Sequence, residues 1–166
     1  MLHYSPDQLH LYMMDFKGGT EFKIYESERL PHIQLLALDA MQEFGESILQ
    51  NLIEEMENRS NAFKNAGGYT KIEDYVRGTG NPMPRILVIM DEFQILFDDS
   101  TNRKVAMRSA NHAKRIVTEG RAYGVHLLMA TQSTNIISTL TLDRGTIELM
   151  RVRIGLKCGE DEARNL

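Results

Sequence analysis

Arg85-Ile86-Leu87-Val88-Ile89-Met90-Asp91-Glu92 is the stretch that decides how the rest of this chain is read. Its consecutive aliphatic and β-branched residues suit a parallel strand covered on both faces. Pro82 and Pro84 keep any helix from running into it. The strand ends in two adjacent carboxylates, and open α/β sheets place their ligands at the C-terminal ends of strands. Such a pair suits nucleoside triphosphate hydrolysis: one carboxylate holds the shell of a magnesium ion and the other polarises the attacking water. The plainer alternative is a core strand followed by a solvated acidic turn, since Asp98 and Asp99 follow closely.

Outward from that strand, Leu9 to Asp15 reads as a first strand followed by the turn Phe16-Lys17-Gly18-Gly19. Ile33 to Leu38 is a second short apolar run. From Asp39 onward, Phe44, Ile48, Leu49, Leu52, Ile53, Met56 and Phe63 keep a helical period. Gly67-Gly68 ends that helix. Lys71 to Val76 predicts a short helix, and Asn102 to Ala122 a second long one capped by Ser100 or Thr101. Gly124 breaks it before an apolar strand, Val125 to Gln132. A short helix, a last strand over Val152 to Cys158 and the start of a helix at Glu160 to Leu166 complete the reading. Strands alternating with helices predict an α/β fold with a mostly parallel sheet.

Size and composition agree with one domain. The chain has 166 residues, 42% hydrophobic and 25% charged, which excludes a disordered polymer. A single cysteine, Cys158, excludes a disulfide framework or a cysteine zinc cluster and fits a reducing, cytoplasmic setting. No run approaches the ~20 apolar residues of a membrane span, and no signal peptide is expected at Met1. A net charge of −4 argues against a broad surface that coats nucleic acid. The five histidines show no paired ligand spacing, and no Gly-x-Ser-x-Gly elbow is present.

Three strands end in polar residues: Asp15 with Lys17, Asp91 with Glu92, and Thr131 with Gln132. In a parallel sheet these ends line one edge and can meet on one ligand. A nucleotide site also needs a phosphate cradle reading G-x-x-x-x-G-K-[ST], and no stretch of this sequence matches it. The residues thus supply half of a triphosphatase site.

In order along the chain, the pieces resemble the FtsK/SpoIIIE group of P-loop motor ATPases, including the related type VII secretion ATPases. They are Asp15-Phe16-Lys17-Gly18-Gly19, Leu30-Pro31-His32, Glu55-Met56-Glu57-Asn58-Arg59, Pro82-Met83-Pro84 and the Walker B run ending Asp91-Glu92-Phe93. Gly120 to Leu127, Ala130-Thr131-Gln132 and Arg153-Ile154-Gly155-Leu156-Lys157 follow. The ordered set is more specific than any one piece.

The resemblance implies a RecA-like, mostly parallel sheet flanked by helices and incomplete at both ends. Residues 1–166 would form part of an ATPase domain, starting after a Walker A loop. It makes Asp91 the magnesium-site carboxylate, acting through water, and Glu92 the catalytic base. Gln132 matches the position that senses the γ-phosphate, while Lys17 and Asp15 line the ATP site. It also implies a homo-hexameric ring, with an arginine from a neighbouring subunit completing each site. Arg153 aligns best with that arginine, and Arg151 and Arg144 are its rivals. The polymer moved is double-stranded DNA or, in the secretion branch, a protein, and the parent chain is membrane-anchored in some members. Ser133-Thr134 follows Ala-Thr-Gln here, where DNA-pumping members often have arginine and proline.

Overall fold

The computed structural model describes residues 3–28, 30–132 and 141–156. Four strands, β1 (Leu9–Asp15), β2 (Ile33–Ala37), β3 (Arg85–Asp91) and β4 (Val125–Met129), form one sheet in the order β2-β1-β3-β4. Every pair is parallel. Parallel neighbours require crossovers, and helices supply them. α2 (Gln42–Asn65) and α3 (Ile72–Thr79) lie between β2 and β3, and α5 (Asp99–Tyr123) lies between β3 and β4. Short helices α1 (Ile24–Ser27), α4 (Gln94–Phe97) and α6 (Arg144–Leu149) complete the described elements.

The helical period in α2 brings Ile48, Leu49, Leu52, Ile53 and Met56 onto one buried face. That face and Ala110, Ala113 and Ile116 of α5 pack on Met14, Ile86, Val88 and Met90 of the sheet. In β3, buried and half-buried residues alternate. The strand is therefore not covered equally on both faces, as its continuous apolar run suggests. α2 and α5 close over Ile86, Val88 and Met90, while Leu87 and Ile89 face the less covered side. Asp91 shares the parity of Leu87 and Ile89, which directs the strand-end carboxylate away from the helical layer.

The helix ends follow local chemistry. Gly124 caps α5 in the left-handed region at φ 72°. The start of α5 differs from the expected Ser100 or Thr101 cap, because Asp98 accepts from Ser100 N at 3.0 Å. A non-helical residue, Asn102, interrupts the helix, and its Oδ1 accepts from Val105 N at 3.3 Å. Carboxylate and carboxamide oxygens reach the free N–H groups of the first turn, so each segment takes its own cap.

The last expected strand is corrected. Residues 151–156 have no regular structure, and Val152, Ile154 and Leu156 are exposed. β4 is the edge of the sheet among the described residues, so this apolar alternation meets no ladder there. A strand persists only through its ladder. Cys158 and the expected helix over Glu160 to Leu166 lie outside the described residues.

Candidate functional site at the carboxyl ends of β1 and β3

The β1–β3 register pairs Asp15 with Asp91. Phe16 N donates to Asp91 O at 3.3 Å and Ala40 N to Asp15 O at 2.8 Å, so the chain leaves both strands in fixed directions. Asp15 is 1% exposed. Its Oδ1 accepts from Lys17 N at 2.9 Å, which folds the turn back over the strand end. Its Oδ2 is buried and has no hydrogen-bond partner.

Asp91 Oδ1 accepts from Glu92 N at 3.0 Å. Partial burial raises the Asp91 carboxyl above its ordinary value. The Glu92 amide opposes that shift, and the negative charges of Asp15, Glu92 and Glu21 add to it. The neighbouring carboxylates make this edge acidic, and a cation there would favour the charged form of Asp91.

Glu92 is buried, and it is the one non-glycine residue at positive φ (51°) among those described. This conformation costs a residue with a Cβ about 1 kcal/mol or more. It turns the side chain back across the edge. There Lys17 Nζ lies 3.5 Å from Oε1, and Gln94 Nε2 donates to Oε2 at 2.5 Å.

The third strand end arrives through backbone bonds. Ala130 N donates to Met90 O at 2.8 Å and Phe93 N to Ala130 O at 3.2 Å. Thr131 and Gln132 thus begin beside the Glu92–Phe93 turn, with Gln132 exposed. The structure brings Asp15, Lys17, Asp91 and Glu92 into one group, with Gln132 at its margin. Arg153 stands apart: it is exposed in the irregular segment 151–156, and among the described residues no ion pair joins it to the acidic edge. Two participants escape sequence reasoning. Glu21 follows the glycine turn with no motif to mark it. Gln94 is a plain polar residue until Glu92 adopts positive φ and turns toward it.

Chemically, the edge offers hard oxygen donors for a divalent cation and a buried carboxylate, Glu92, oriented from both sides. The orphaned Asp15 Oδ2 beside Asp91 fits magnesium. No phosphate cradle of the G-x-x-x-x-G-K-[ST] kind occurs in residues 1–166, so the edge offers carboxylates and one lysine but no glycine-rich anion loop.

Comparison with known proteins gives this geometry its relatives. The model of the FtsK/SpoIIIE family matches residues 1–135. The chain is 33% identical over 152 residues to the DNA translocase FtsK of Streptococcus pyogenes, a match covering 84% of this chain and 18% of that protein. It is 29% identical over 136 residues to the ESX secretion system protein EccC of Thermomonospora curvata, covering 78% of this chain and 10% of the relative. The solved cytoplasmic domain of the Thermomonospora curvata type VII secretion ATPase EccC superposes with a TM-score of 0.66 at 27% identity, over 89% of this chain and 16% of that one. The conjugation coupling protein TcpA of pCW3, solved with ATPγS, shares the fold with a TM-score of 0.62 at 21% identity, over 87% of this chain and 44% of its own. The chain spans less than a fifth of the length of these curated relatives. The four-stranded parallel sheet flanked by helices is RecA-like, as in these ATPases, and the chain belongs to the FtsK/SpoIIIE family.

Proposed function

We propose that residues 1–166 are the Walker B and sensor part of an ATP-driven DNA translocase motor of the FtsK/SpoIIIE type. The observation that supports this most is the meeting of Asp15, Asp91 and Glu92 at adjacent parallel strand ends, with Lys17 reaching Glu92 across them. Magnesium-ATP would supply the phosphoryl group, and its magnesium ion the positive charge that the acidic edge could balance. Asp91 would hold the cation through water, with Asp15 and Lys17 lining the site. Glu92 accepts the proton of the attacking water, with Lys17 and Gln94 fixing its two oxygens. Gln132 reports the state of the terminal phosphate. Arg153 acts in trans within a homo-hexameric ring, which would free it from the acidic edge of its own chain.

A second reading, export of a protein by a type VII secretion motor, is favoured by the fit to EccC. A third reading is an ATPase-like assembly module that does not hydrolyse nucleotide, which the lack of a G-x-x-x-x-G-K-[ST] pattern within residues 1–166 permits. Motors of the first two kinds would work on the cytoplasmic side, with any membrane anchor elsewhere in the parent chain. No helix among the described residues is long and apolar enough to cross a membrane.

The test uses a parent chain that includes a phosphate loop. Glu92→Gln is expected to lower ATP turnover at least about 10²-fold, and undiminished turnover rejects the motor assignment. Arg153→Ala is expected to lower turnover about 10³-fold and to be rescued by mixing with Glu92→Gln subunits. Stimulation by double-stranded DNA supports the DNA motor. Stimulation by a secreted protein alone supports the export motor.

A further inference from the structure

Glu21 lies in the turn after β1, outside every strand and helix, yet its carboxylate closes on the two strand-end aspartates. One oxygen from each of Asp15, Glu21 and Asp91 lies within 4.8 Å of the others. Asp15 Oδ2 is buried without a donor, a costly arrangement in a folded chain unless a donor or a cation occupies the space beside it. Gly19 keeps that space open: a Cβ there would press on Glu21 Oε2 and stand 2.7 Å from Asp15 Oδ2. Lys17, the cation of the same turn, pairs with Glu92 instead.

The spacing also suits an ion. Two oxygens on opposite sides of a cation are separated by at most roughly twice the metal–oxygen distance, about 4.2 Å for magnesium and about 4.8 Å for calcium. A three-carboxylate group of this span can thus close on a hard divalent ion with little movement, and its all-oxygen donor set selects that class of metal.

We propose that Asp15, Glu21 and Asp91 form a divalent-cation site that fills without nucleotide, with Glu21 as the ligand that the strand ends alone do not provide. The site shares Asp91 with the ATPase reading and rests on that reading for the cation's role in turnover, not for its binding. Glu21 sits on the exposed side, where it can release the ion's outer face to a phosphate.

Manganese(II) is the probe, titrated into the purified chain without nucleotide and followed by loss of the free-ion electron paramagnetic resonance signal. One ion is expected to bind per chain and to be displaced by magnesium. Glu21→Gln and Gly19→Ala are expected to weaken binding by about tenfold or more, through lost ligand charge and lost space respectively. Glu57→Gln, which removes an exposed carboxylate on α2, is expected to bind as the unaltered chain does. Absence of stoichiometric binding by the folded chain, or equal affinity in Glu21→Gln, overturns the proposal. A parent chain whose turnover collapses on Glu92→Gln, but whose nucleotide-free form takes up no manganese, overturns this inference alone and leaves the ATPase reading standing.

Discussion

Lys17 Nζ stands 3.5 Å from Glu92 Oε1, joining the turn after β1 to the turn after β3. The lysine side chain is 61% exposed and the glutamate side chain 4%, so water screens one partner only. A pair of this kind contributes less than about 1 kcal/mol to folding. Its value lies in aiming a buried carboxylate. Lys17→Met is expected to leave the urea unfolding free energy within about 1 kcal/mol of the unaltered chain, while lowering ATP turnover in a parent chain. A large loss of stability with full turnover would assign the pair to the fold instead.

Backbone strain at Glu92 can be isolated from its contacts by comparing two truncations. Glu92→Gly and Glu92→Ala both remove the bonds to Lys17 and Gln94, but only alanine keeps a Cβ at φ 51°. The glycine variant is expected to be about 1 kcal/mol more stable in urea unfolding. Equal stabilities would mean that the turn relaxes out of the left-handed region once the carboxylate is gone.

Arg59 clasps the two long helices. Its buried guanidinium donates to Tyr123 O at 2.7 Å and to Glu55 Oε1 at 2.7 Å. Arg59→Met leaves the last carbonyl of α5 without its donor and is expected to cost about 2–3 kcal/mol. Arg59→Lys should recover less than half of that, since a single ammonium replaces a planar fork. Equilibrium unfolding of the three chains with a common slope decides it.

Gly120 lets α5 approach the start of β4. A Cβ at this position would stand 2.5 Å from Val125 O. Helix propensity alone favours alanine over glycine by about 1 kcal/mol. Overpacking against a backbone oxygen that cannot swing away costs up to about 3 kcal/mol. Gly120→Ala is therefore expected to lose about 2 kcal/mol, and a gain in thermal stability would show that α5 can shift outward.

His112 gives the fold an acid sensitivity. Burial holds its imidazole below the ordinary value of 6.5, despite the opposing pull of Glu46, whose Oε1 lies 3.9 Å away. The unfolded chain then binds the proton more readily than the folded one. The stability His112 contributes is present above pH 6.5 and is lost as pH falls through its lowered folded value. His112→Gln is expected to show a smaller drop in unfolding free energy between pH 7.5 and pH 5. His10 is shifted the same way by burial and keeps part of the drop in place.

Most of the sheet was legible because each strand is a short apolar run, and β1 and β3 end in a carboxylate. The runs from Leu9 to Asp15 and from Arg85 to Asp91 match β1 and β3 at both ends. Asp15, Asp91, Lys17 and Glu92 were legible as a group for the same reason, since a parallel sheet brings such ends to one edge. Glu21 and Gln94 were not, because their roles depend on how two turns fold over that edge and no periodicity encodes this. Glu55, Arg59 and Gly120 to Gly124 could be read as family motifs, but the sequence does not tell that they join helix to helix. The alternation after Val152 has the pattern of a strand, but pattern alone supplies no neighbour to pair with.

The order β2-β1-β3-β4 also governs when the acidic edge can exist. β1 acquires its β3 neighbour only after the chain has closed a long loop: Lys17 and Glu92 are 75 positions apart. Pairing at such separation pays its loop entropy before any contact repays it, which makes it slow relative to helix formation. α2 can wind while β1 still lacks its inner neighbour, but no such half-built state holds Asp15 beside Asp91. The capacity to hold an ion therefore arises no earlier than the pairing of β1 with β3.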